Sequence, residues 1–308
     1  MRRPVNLLAS LALVLLVASV AAACGSSKKS SSSTTTTTGQ TTTSAAGVGM
    51  NSKIAAEVPA KIKSKGTLKV AVDATYPPNE FVGSNGKTLT GWDVELGQDL
   101  GKVMGLKWKF VSASFDTIIP GLQSGKYDIG MSSFTDTKER QKVVDFVTYF
   151  SAGTSFYVKA QGGPTINSLA DLCGHSVGVE RGTTQADDST AQSKKCTSSG
   201  KGKVSVHVYP DQNAANLAIS SGRQQVGMAD SPVAAYIVKQ SNGRFKLTGK
   251  PYNTAPYGIA IPKKNGMTKP IRDALKQLMS NGTYMKLLKK WGVQEGAITK
   301  PTINGAIS

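Results

Sequence analysis

The sequence predicts an α/β protein built from two lobes of similar construction. The residues from Ser124 to Ser133 (SGKYDIGMSS) are echoed later in the chain by those from Ser221 to Asp230 (SGRQQVGMAD). Each copy follows a segment with helical apolar periodicity, and each ends on polar residues where a short apolar strand stops. Because open α/β sheets bind small ligands beyond the carboxyl ends of their strands, Ser133 and Asp230 are predicted to face one cleft. A hydroxyl and a carboxylate there suit a zwitterion better than an apolar ligand.

The beginning of the chain has the layout of a secretory signal. Arg2 and Arg3 precede an apolar run at 7–20 and three alanines at 21–23, and this run is shorter than the ~20 residues of a membrane span. Because Cys24 follows directly, the segment resembles the lipobox of bacterial lipoproteins, in which the cysteine is lipidated and becomes the mature N-terminus. The alternative is an ordinary signal with a chance cysteine.

The residues after Cys24 are almost wholly Ser, Thr, Gly, Lys and Gln, and so are too polar to bury a core. We therefore expect a disordered tether that holds a folded body away from the membrane. The predicted parts of the chain are a signal peptide at 1–23, the lipidated cysteine and Ser/Thr-rich tether at 24–57, the first part of lobe 1 at 58–153, lobe 2 at 154–254, and the return to lobe 1 with a C-terminal tail at 255–308.

The formal net charge is +18, which can indicate nucleic acid, an anionic membrane or an acidic ligand as a partner. The lysines are scattered, however, and no basic block is interleaved with aromatic residues in the manner of single-strand binders. We interpret the charge as solvated surface and predict no nucleic-acid partner.

The elements of lobe 1 follow from apolar patterning. Residues 68–72 form a short apolar strand, and the prolines of Tyr76–Phe81 force a loop. Apolar residues recur at helical spacing over 92–104, with Gly105 as the stop. A half-buried strand at 106–110, a helix at 115–122, the first echo strand and an apolar run at 144–149 complete the first part. Small residues at 151–154 are predicted to form a hinge.

Lobe 2 repeats this order. A strand at 176–179 is followed by alternating residues at 204–208, which place His207 on a solvated face. A helix at 213–221, the second echo strand and a helix opened by Ser231-Pro232 follow. Near 254–256 the chain is expected to cross back, and a strand at 257–261 and apolar helices over 271–288 close lobe 1.

The two remaining cysteines are predicted to form a disulfide. Cys173 and Cys196 lie outside the membrane, where disulfides persist, and they flank a loop-like stretch at 187–195. A bridge closing such a loop would stabilise the fold by about 3 kcal/mol. Zinc is the alternative, but His175 and His207 complete no ligand spacing, so no metal is predicted.

One arginine follows a strand end together with several hydroxyls. The string Met131–Arg140 contains Ser132, Ser133 and Thr135, and its Arg140 guanidinium can bind a carboxylate through two parallel hydrogen bonds. The alternative is a surface arginine on a helix that Thr135 or Asp136 caps.

The other lobe offers a turn that a ligand can approach. Gly182, Thr183 and Thr184 follow the strand at 176–179, and free N–H groups at a helix N-terminus attract anions.

Taken together, these segments resemble the family 3 extracellular solute-binding proteins of ABC importers, which bind polar amino acids. The resemblance runs from about Leu68 to Val293, and Trp92 departs from the smaller residue usual at its position. The motifs that carry it are Tyr76–Phe81 (YPPNEF), Gly91–Leu96 (GWDVEL), Met131–Arg140, Val177–Gln185 (VGVERGTTQ), Asp230 and Asn281–Tyr284 (NGTY).

The resemblance implies the two-lobed type II fold of periplasmic binding proteins, with each lobe a mainly parallel sheet flanked by helices. It also implies that Arg140 binds the α-carboxylate of an amino acid, helped by Thr135 and Thr184. Asp230, with Ser133, would bind the α-ammonium group.

Two aromatic residues of the YPPNEF loop are further candidates that the resemblance implies. Tyr76 would pack on the ligand side chain, and Phe81 would either join it or belong to the core.

Two acidic residues bear on specificity. Asp73 matches a position that meets ligand side chains in some members of the family, and Glu180 stands where the family often has glutamine or an apolar residue. Two carboxylates would favour arginine, lysine or another cationic amino acid. Arg181 could instead neutralise Glu180 or bind an acidic ligand.

The sequence thus predicts a monomeric, lipid-anchored receptor on the extracellular face of the cytoplasmic membrane, with a permease as partner and no cofactor. It contains no nucleophile elbow, phosphate loop or clustered metal ligands, so no enzyme is predicted. The alternatives are a dehydratase on the same fold, with Glu180 as the candidate acid or base, and a sensory or adhesive surface domain without a transporter.

Overall fold

An eight-stranded sheet runs through the protein, with a small three-stranded sheet beside it. The computed structural model describes residues 48–306, so the predicted signal peptide, Cys24 and most of the predicted tether lie outside the described residues. The strands are β1 (Thr67–Val72), β2 (Thr75–Tyr76), β3 (Glu80–Val82), β4 (Leu89–Thr90), β5 (Lys107–Ser112), β6 (Ile129–Gly130), β7 (Val144–Lys159), β8 (Ser176–Glu180), β9 (Ser205–Tyr209), β10 (Val226–Asp230) and β11 (Phe245–Pro262). The α-helices are α1 (Ser52–Glu57), α2 (Ala60–Lys65), α3 (Trp92–Met104), α4 (Phe115–Gln123), α5 (Lys138–Gln141), α6 (Thr184–Ser198), α7 (Gln212–Ser220), α8 (Ser231–Gln240), α9 (Thr268–Ser280) and α10 (Thr283–Trp291).

The large sheet has the strand order β5-β1-β6-β11-β7-β10-β8-β9. Strands β5, β1 and β6 are parallel neighbours on one side, and β10, β8 and β9 are parallel neighbours on the other. Between them lie β11 and β7, which run antiparallel to each other. The predicted fold class is confirmed, because each half is a mainly parallel sheet with flanking helices. Below, lobe 1 means the β5-β1-β6 half with its helices, and lobe 2 means the β10-β8-β9 half.

The connection between the lobes consists of strand rather than loop. The predicted hinge at 151–154 lies inside β7, and the opposite strand β11 has register shifts between Thr248 and Tyr252 and between Tyr252 and Ala255. Small residues have weak strand propensity, so the sequence did not reveal that β7 continues through them. The register shifts in β11 mark the point at which the ladder between the lobes is least regular.

Helix α3 shows how the sequence positions the core of lobe 1. Leu96 and Leu100 are fully buried, and burial of one such side chain contributes roughly 1.5–3 kcal/mol. The helix ends at Gly105, whose φ of 67° provides the left-handed cap. A Cβ on Gly101 would lie 2.8 Å from the Trp108 ring, so glycine allows the close contact with β5.

Two helices stand where the sequence predicted disorder or a loop. The predicted tether extends to residue 57, but α1 begins at Ser52, is capped by the Asn51 side chain and buries Ile54. The loop-like stretch at 187–195 belongs to α6. The buried face of that helix is largely polar, with Gln185, Ser189, Gln192 and Cys196. The sequence therefore shows no apolar periodicity from which the helix could be predicted.

Cys173 and Cys196 form a disulfide with a Cα–Cα distance of 5.6 Å, which fixes the C-terminal part of α6 to the start of lobe 2. His207 is exposed on β9. Within residues 48–306, no helix has both the length and the apolar character that crossing a membrane requires.

Candidate functional site

A small cavity lies between the two lobes, at the carboxyl ends of β1, β6, β8 and β10. The cavity is lined by Asp73, Tyr76, Glu80, Phe115, Ser132, Ser133, Thr135, Arg140, Glu180, Thr183, Thr184, Gln185 and Asp230. Every predicted ligand-binding residue except Phe81 is among them.

The two serines after β6 are held by one carboxyl group. Ser132 Oγ donates to Glu80 Oε1 at 3.0 Å, and Ser133 Oγ donates to Glu80 Oε2 at 3.1 Å. Ser133 has a φ of 51°, a left-handed conformation that is uncommon for residues other than glycine and is often found at functional sites. Glu80 therefore fixes the strained turn that presents both hydroxyls.

Glu80 is half of a buried carboxyl pair. It contacts Asp93, whose Oδ2 accepts hydrogen bonds from the Tyr149 hydroxyl at 2.6 Å and the Ser133 N–H at 3.2 Å. Burial, followed by the charge of Asp93, raises the pKa of Glu80 well above its usual range. Burial also raises the pKa of Asp93 to about 7. Because two buried carboxyls in contact do not both ionise, the pair shares a proton at neutral pH.

Arg140 reaches from lobe 1 to lobe 2. Its Nη1 donates to the Thr135 carbonyl oxygen at 2.8 Å, and its Nη2 donates to the Gly182 carbonyl oxygen at 2.9 Å. The guanidinium also lies over the rings of Phe115 and Phe134, at 5.4 and 5.5 Å from their centroids. Burial lowers the pKa of Arg140 to about 10, so the group remains charged at neutral pH.

These contacts disfavour the alternative of an ordinary surface arginine. Arg140 lines the cavity, and the cap of α5 is Thr137, whose hydroxyl accepts from the Arg140 N–H. The predicted caps, Thr135 and Asp136, lie outside the helix.

Asp230 is the last residue of β10 and makes hydrogen bonds with three side chains. Its Oδ1 accepts from Gln185 Nε2 at 2.7 Å, and its Oδ2 accepts from the Tyr257 hydroxyl at 2.7 Å. Its backbone N–H donates to the Tyr76 hydroxyl oxygen at 2.9 Å. Burial raises the pKa of Asp230, although the bonds from Tyr257 and Gln185 oppose this shift. Both tyrosines come from the lobe 1 side, so Asp230 connects the lobes.

Phe81 is the one predicted ligand-binding residue that the structure places away from the cavity. Its ring lies 6.5 Å from that of Tyr236 and 6.1 Å from that of Trp291. Adjacent side chains of a strand point to opposite faces, so Phe81 of β3 points away because Glu80 points in. Phe81 is half-buried, so it packs on these two rings without belonging to the buried core.

Asp73 and Glu180 meet across the cleft. Asp73 is held in lobe 1, where its Oδ1 accepts from the Thr75 N–H at 2.9 Å and its Oδ2 accepts from the Phe115 N–H at 3.0 Å. Glu180, at the end of β8, contacts the Asp73 carboxyl, and its buried Oε1 has no hydrogen-bond partner. Arg181 is exposed, with Asp116 as its nearest acid at 3.9 Å, and does not pair with Glu180.

The two threonines stand at the start of α6. Thr183 Oγ1 donates to the Glu180 carbonyl oxygen at 2.7 Å and accepts from the Ala186 N–H at 3.3 Å, so it caps the helix. Thr184 is the first residue of the helix and lines the cavity. The positive end of the helix dipole therefore faces the site, where it favours an anionic ligand group.

Sequence reasoning missed Glu80, Phe115 and Gln185 in the cavity wall, and Tyr257 behind Asp230. Glu80 and Gln185 stand inside quoted motifs, so their position was available, but nothing in the sequence showed which way they point. Within the described residues, no three His, Cys, Asp or Glu side chains are grouped to hold a metal ion. The cavity wall thus contains one guanidinium and four carboxyl groups, of which Glu80 is bonded to the serines and shares a proton with Asp93. The other three carboxyl groups suit a ligand with one carboxylate and more than one positive charge.

Residues 68–294 match the sequence profile of a protein family, the bacterial extracellular solute-binding proteins, family 3. The arginine-binding protein ArgT of Corynebacterium glutamicum is 32% identical over 253 residues, which cover 82% of this chain and 83% of ArgT.

Two solved structures have the same fold. An ancestral arginine-binding protein bound to arginine superposes with a TM-score of 0.67 and 39% identity, covering 73% of this chain and 98% of that protein. The ancestral amino acid-binding protein AncCDT-1, a precursor of cyclohexadienyl dehydratase, gives a TM-score of 0.65 and 36% identity over 75% of this chain and 97% of that protein.

Proposed function

The chain belongs to the bacterial extracellular solute-binding proteins, family 3, and we propose that its ligand is a basic L-amino acid held between the two lobes. It captures an amino acid on the outer side of the cytoplasmic membrane and delivers it to the permease of an ABC importer, the role of its relatives. The observation that carries the ligand class is the acidic cavity: Asp73, Glu180 and Asp230 line it, with Arg140 as the one cation among the lining residues.

We assign the α-carboxylate of the ligand to Arg140. A guanidinium has five N–H donors, and two of them are used by the carbonyl oxygens of Thr135 and Gly182. Others remain for a carboxylate, to which a charge-assisted bond is about twice as strong as a neutral one. The N-terminus of α6, with Thr183 and Thr184, supports the same charge.

We assign the α-ammonium group to Asp230, with the Ser132 and Ser133 hydroxyls nearby in the cavity wall. Each carboxylate oxygen of Asp230 accepts one bond from the protein and has a further lone pair for a ligand N–H. Tyr76, whose ring lines the cavity, would pack on the aliphatic part of the ligand.

The side-chain end of the ligand would then lie towards Asp73 and Glu180. The unpartnered Oε1 of Glu180 is an acceptor that a guanidinium or ammonium group would satisfy, and an unsatisfied buried acceptor costs about 1–3 kcal/mol. This need for a donor favours arginine, lysine or ornithine over a neutral or acidic amino acid.

Closure of the lobes is part of the proposal. We propose that lobe 1 comprises residues 58–153 and 255–308, extended by α1, and that lobe 2 comprises residues 154–254. The two lobes would rotate about the central part of β7 and β11. Contacts that form only when both lobes touch the ligand would shift the population to the closed form.

We also propose that residues 1–23 are a signal peptide, that Cys24 carries the lipid anchor and that the receptor works as a monomer. Expression of the full chain and of a Cys24→Ser variant would test the anchor. The native chain should fractionate with membranes and the variant with the soluble fraction. Equal distribution of the two would contradict the anchor.

A thermal-shift screen of the protein against the twenty amino acids, ornithine and citrulline tests the ligand class. A ligand at 100 times its dissociation constant stabilises by about 2.7 kcal/mol, so arginine, lysine or ornithine should raise the melting temperature most. A glutamate-led ranking, or no shift with any amino acid, would overturn the proposal.

A second candidate function is catalysis by Glu180, and one observation favours it. Burial, followed by the charge of Asp73, raises the pKa of Glu180 well above its usual range, as a general acid requires. The similarity to a precursor of a dehydratase points in the same direction. We place binding first because the relatives are transport binding proteins. Incubation with prephenate or arogenate would decide, since turnover requires a product and binding yields none.

A further inference from the structure

The contact between Asp73 and Glu180 depends on cleft closure. Asp73 belongs to lobe 1, where the Thr75 hydroxyl, the Thr75 N–H and the Phe115 N–H hold its two oxygens. Glu180 belongs to lobe 2, and the two side chains are only 4% and 3% exposed. Opening the cleft would separate them and return both to water.

Among residues 48–306, no cation forms a salt bridge with the pair. The groups that face it are Tyr76 from β2, Tyr157 from β7, Asp211 at the cap of α7 and Asp230 from β10, all of them neutral or acidic. Arg140 stabilises the charge of Asp230 instead, and Arg181 points to Asp116.

We propose that the cleft closes over the Asp73–Glu180 pair only when one positive charge lies between the lobes. Either the side chain of the ligand or a proton from solvent supplies this charge. This proposal rests on the proposed function and adds a proton linkage to it. A ligand with a cationic side chain brings its own charge and binds without proton uptake. A neutral ligand of the same shape binds only together with about one proton.

The sign of the pH dependence follows from the two states. In the open cleft both carboxyls face water, and their pKa values are lower there because burial no longer opposes the charged form. In the closed cleft burial raises the pKa of Asp73, and burial with the charge of Asp73 raises the pKa of Glu180.

The affinity for a neutral ligand should therefore rise as the pH falls through the raised pKa, by up to about tenfold per pH unit. It should level off once the open form is protonated as well. The affinity for a cationic ligand should stay flat over the same range and fall only below roughly pH 4.5, where the open-form carboxyls gain protons.

Isothermal titration calorimetry with arginine and citrulline tests the proposal, because citrulline replaces the guanidinium with a neutral group of nearly the same shape. Titrations of the full chain at pH 7 in phosphate and in Tris, which differ in ionisation enthalpy, count the protons exchanged. We expect about one proton taken up with citrulline and none with arginine. If citrulline binds weakly, its displacement of arginine at pH 5.5, 6.5 and 7.5 yields the same linkage.

A Glu180→Gln variant removes the pair while keeping its size. It should lose the proton uptake and the pH dependence with citrulline, and its affinity for arginine should fall about tenfold. Glu139→Gln, which neutralises an exposed carboxylate on α5, is the matched control and should behave as the native chain.

Two failures can be told apart. If neither arginine nor any other amino acid binds, the proposed function is wrong. If arginine and citrulline bind with equal proton counts and parallel pH profiles, the proposed function stands and the proton linkage is wrong.

Discussion

The two lobes contribute opposite halves of the binding cleft, and they differ in where their polar groups find partners. In lobe 1, Glu80 accepts bonds from both serines and contacts Asp93, all within the same lobe. In lobe 2, Asp230 is bonded by tyrosines from the lobe 1 side as well as by Gln185 of its own lobe, and Glu180 contacts Asp73 across the cleft. Lobe 1 therefore presents a preformed surface, whereas the surface of lobe 2 is completed by closure and by the ligand.

The largest effect is expected from Arg140→Ala, which removes the cation that lobe 1 contributes. A ligand carboxylate left unpaired in the closed cleft costs about 3–5 kcal/mol, so the affinity for arginine should fall by roughly 10² to 10³. Calorimetric titration measures the loss. Arg140→Lys is the matched control, because it keeps the charge without the two parallel bonds. Its affinity for arginine should lie between that of the native chain and that of Arg140→Ala. A loss below tenfold in Arg140→Ala would mean that lobe 1 binds the carboxylate elsewhere.

The second effect concerns the folding of lobe 2. The apolar core of lobe 1 contains large residues such as Trp92 and Tyr149. The core of lobe 2 has fewer residues and includes Cys196, and its helix α6 has a largely polar buried face. Loss of the disulfide in a Cys173→Ser, Cys196→Ser double variant should lower the free energy of unfolding by about 3 kcal/mol.

Urea denaturation with and without dithiothreitol checks the role of the disulfide. The native chain should lose stability on reduction, and the double variant should be insensitive to the reductant. If reduction leaves the native midpoint unchanged, lobe 2 does not depend on the bridge.

The third effect tests the preformed pair of lobe 1. The pKa of Asp93 is raised to about 7 in the folded protein from 3.8, so the folded state binds more protons than the unfolded state between these values. The stability contribution is thus fully present below pH 4 and lost as the pH rises through 7, with a slope of up to about 1.4 kcal/mol per pH unit.

Urea midpoints at pH 6 and pH 8 measure this contribution. The native chain should be less stable at pH 8, and Asp93→Asn, which cannot ionise, should show a smaller difference between the two values. An identical pH response in native chain and variant would show that the Glu80–Asp93 pair is not the source.

The smallest effect is expected from the tyrosine hydroxyls that connect the lobes. Tyr257→Phe removes one donor to the Asp230 carboxyl group, and a typical hydrogen bond contributes about 0.5–1.5 kcal/mol net, so the affinity should fall roughly two- to tenfold. Tyr76→Phe removes the acceptor of the Asp230 N–H and should have an effect at the lower end of that range. Titration of both variants with arginine checks the order, and a larger loss in Tyr76→Phe would reverse the assignment of the main cross-lobe bond.

The sequence predicted the elements with clear periodicity and the residues at strand ends. Helix α3 and its glycine stop, the two echo strands, and Ser133 and Asp230 in one cavity follow from local pattern and from the geometry of open sheets, whereas the place of Arg140 was implied by the family resemblance. These features are readable because apolar spacing and glycine positions record backbone geometry directly.

What the sequence did not reveal depends on contacts between distant segments. The polar buried face of α6 lacks an apolar stripe, and the direction of Glu80 depends on its place in a three-residue strand. Tyr257 meets Asp230 only because β11 returns beside β7. Such contacts are properties of the assembled sheet, so no local pattern announces them.

Arg140 of lobe 1 and Asp230 of lobe 2 are proposed to hold the two charged ends of one amino acid, and a crystal structure of the complex with arginine would show whether they do. We expect the ligand carboxylate within hydrogen-bonding distance of the Arg140 guanidinium and the α-ammonium group at Asp230. The ligand guanidinium should lie beside Asp73 and Glu180. A complex in which Arg140 and Asp230 point away from the ligand would contradict this assignment.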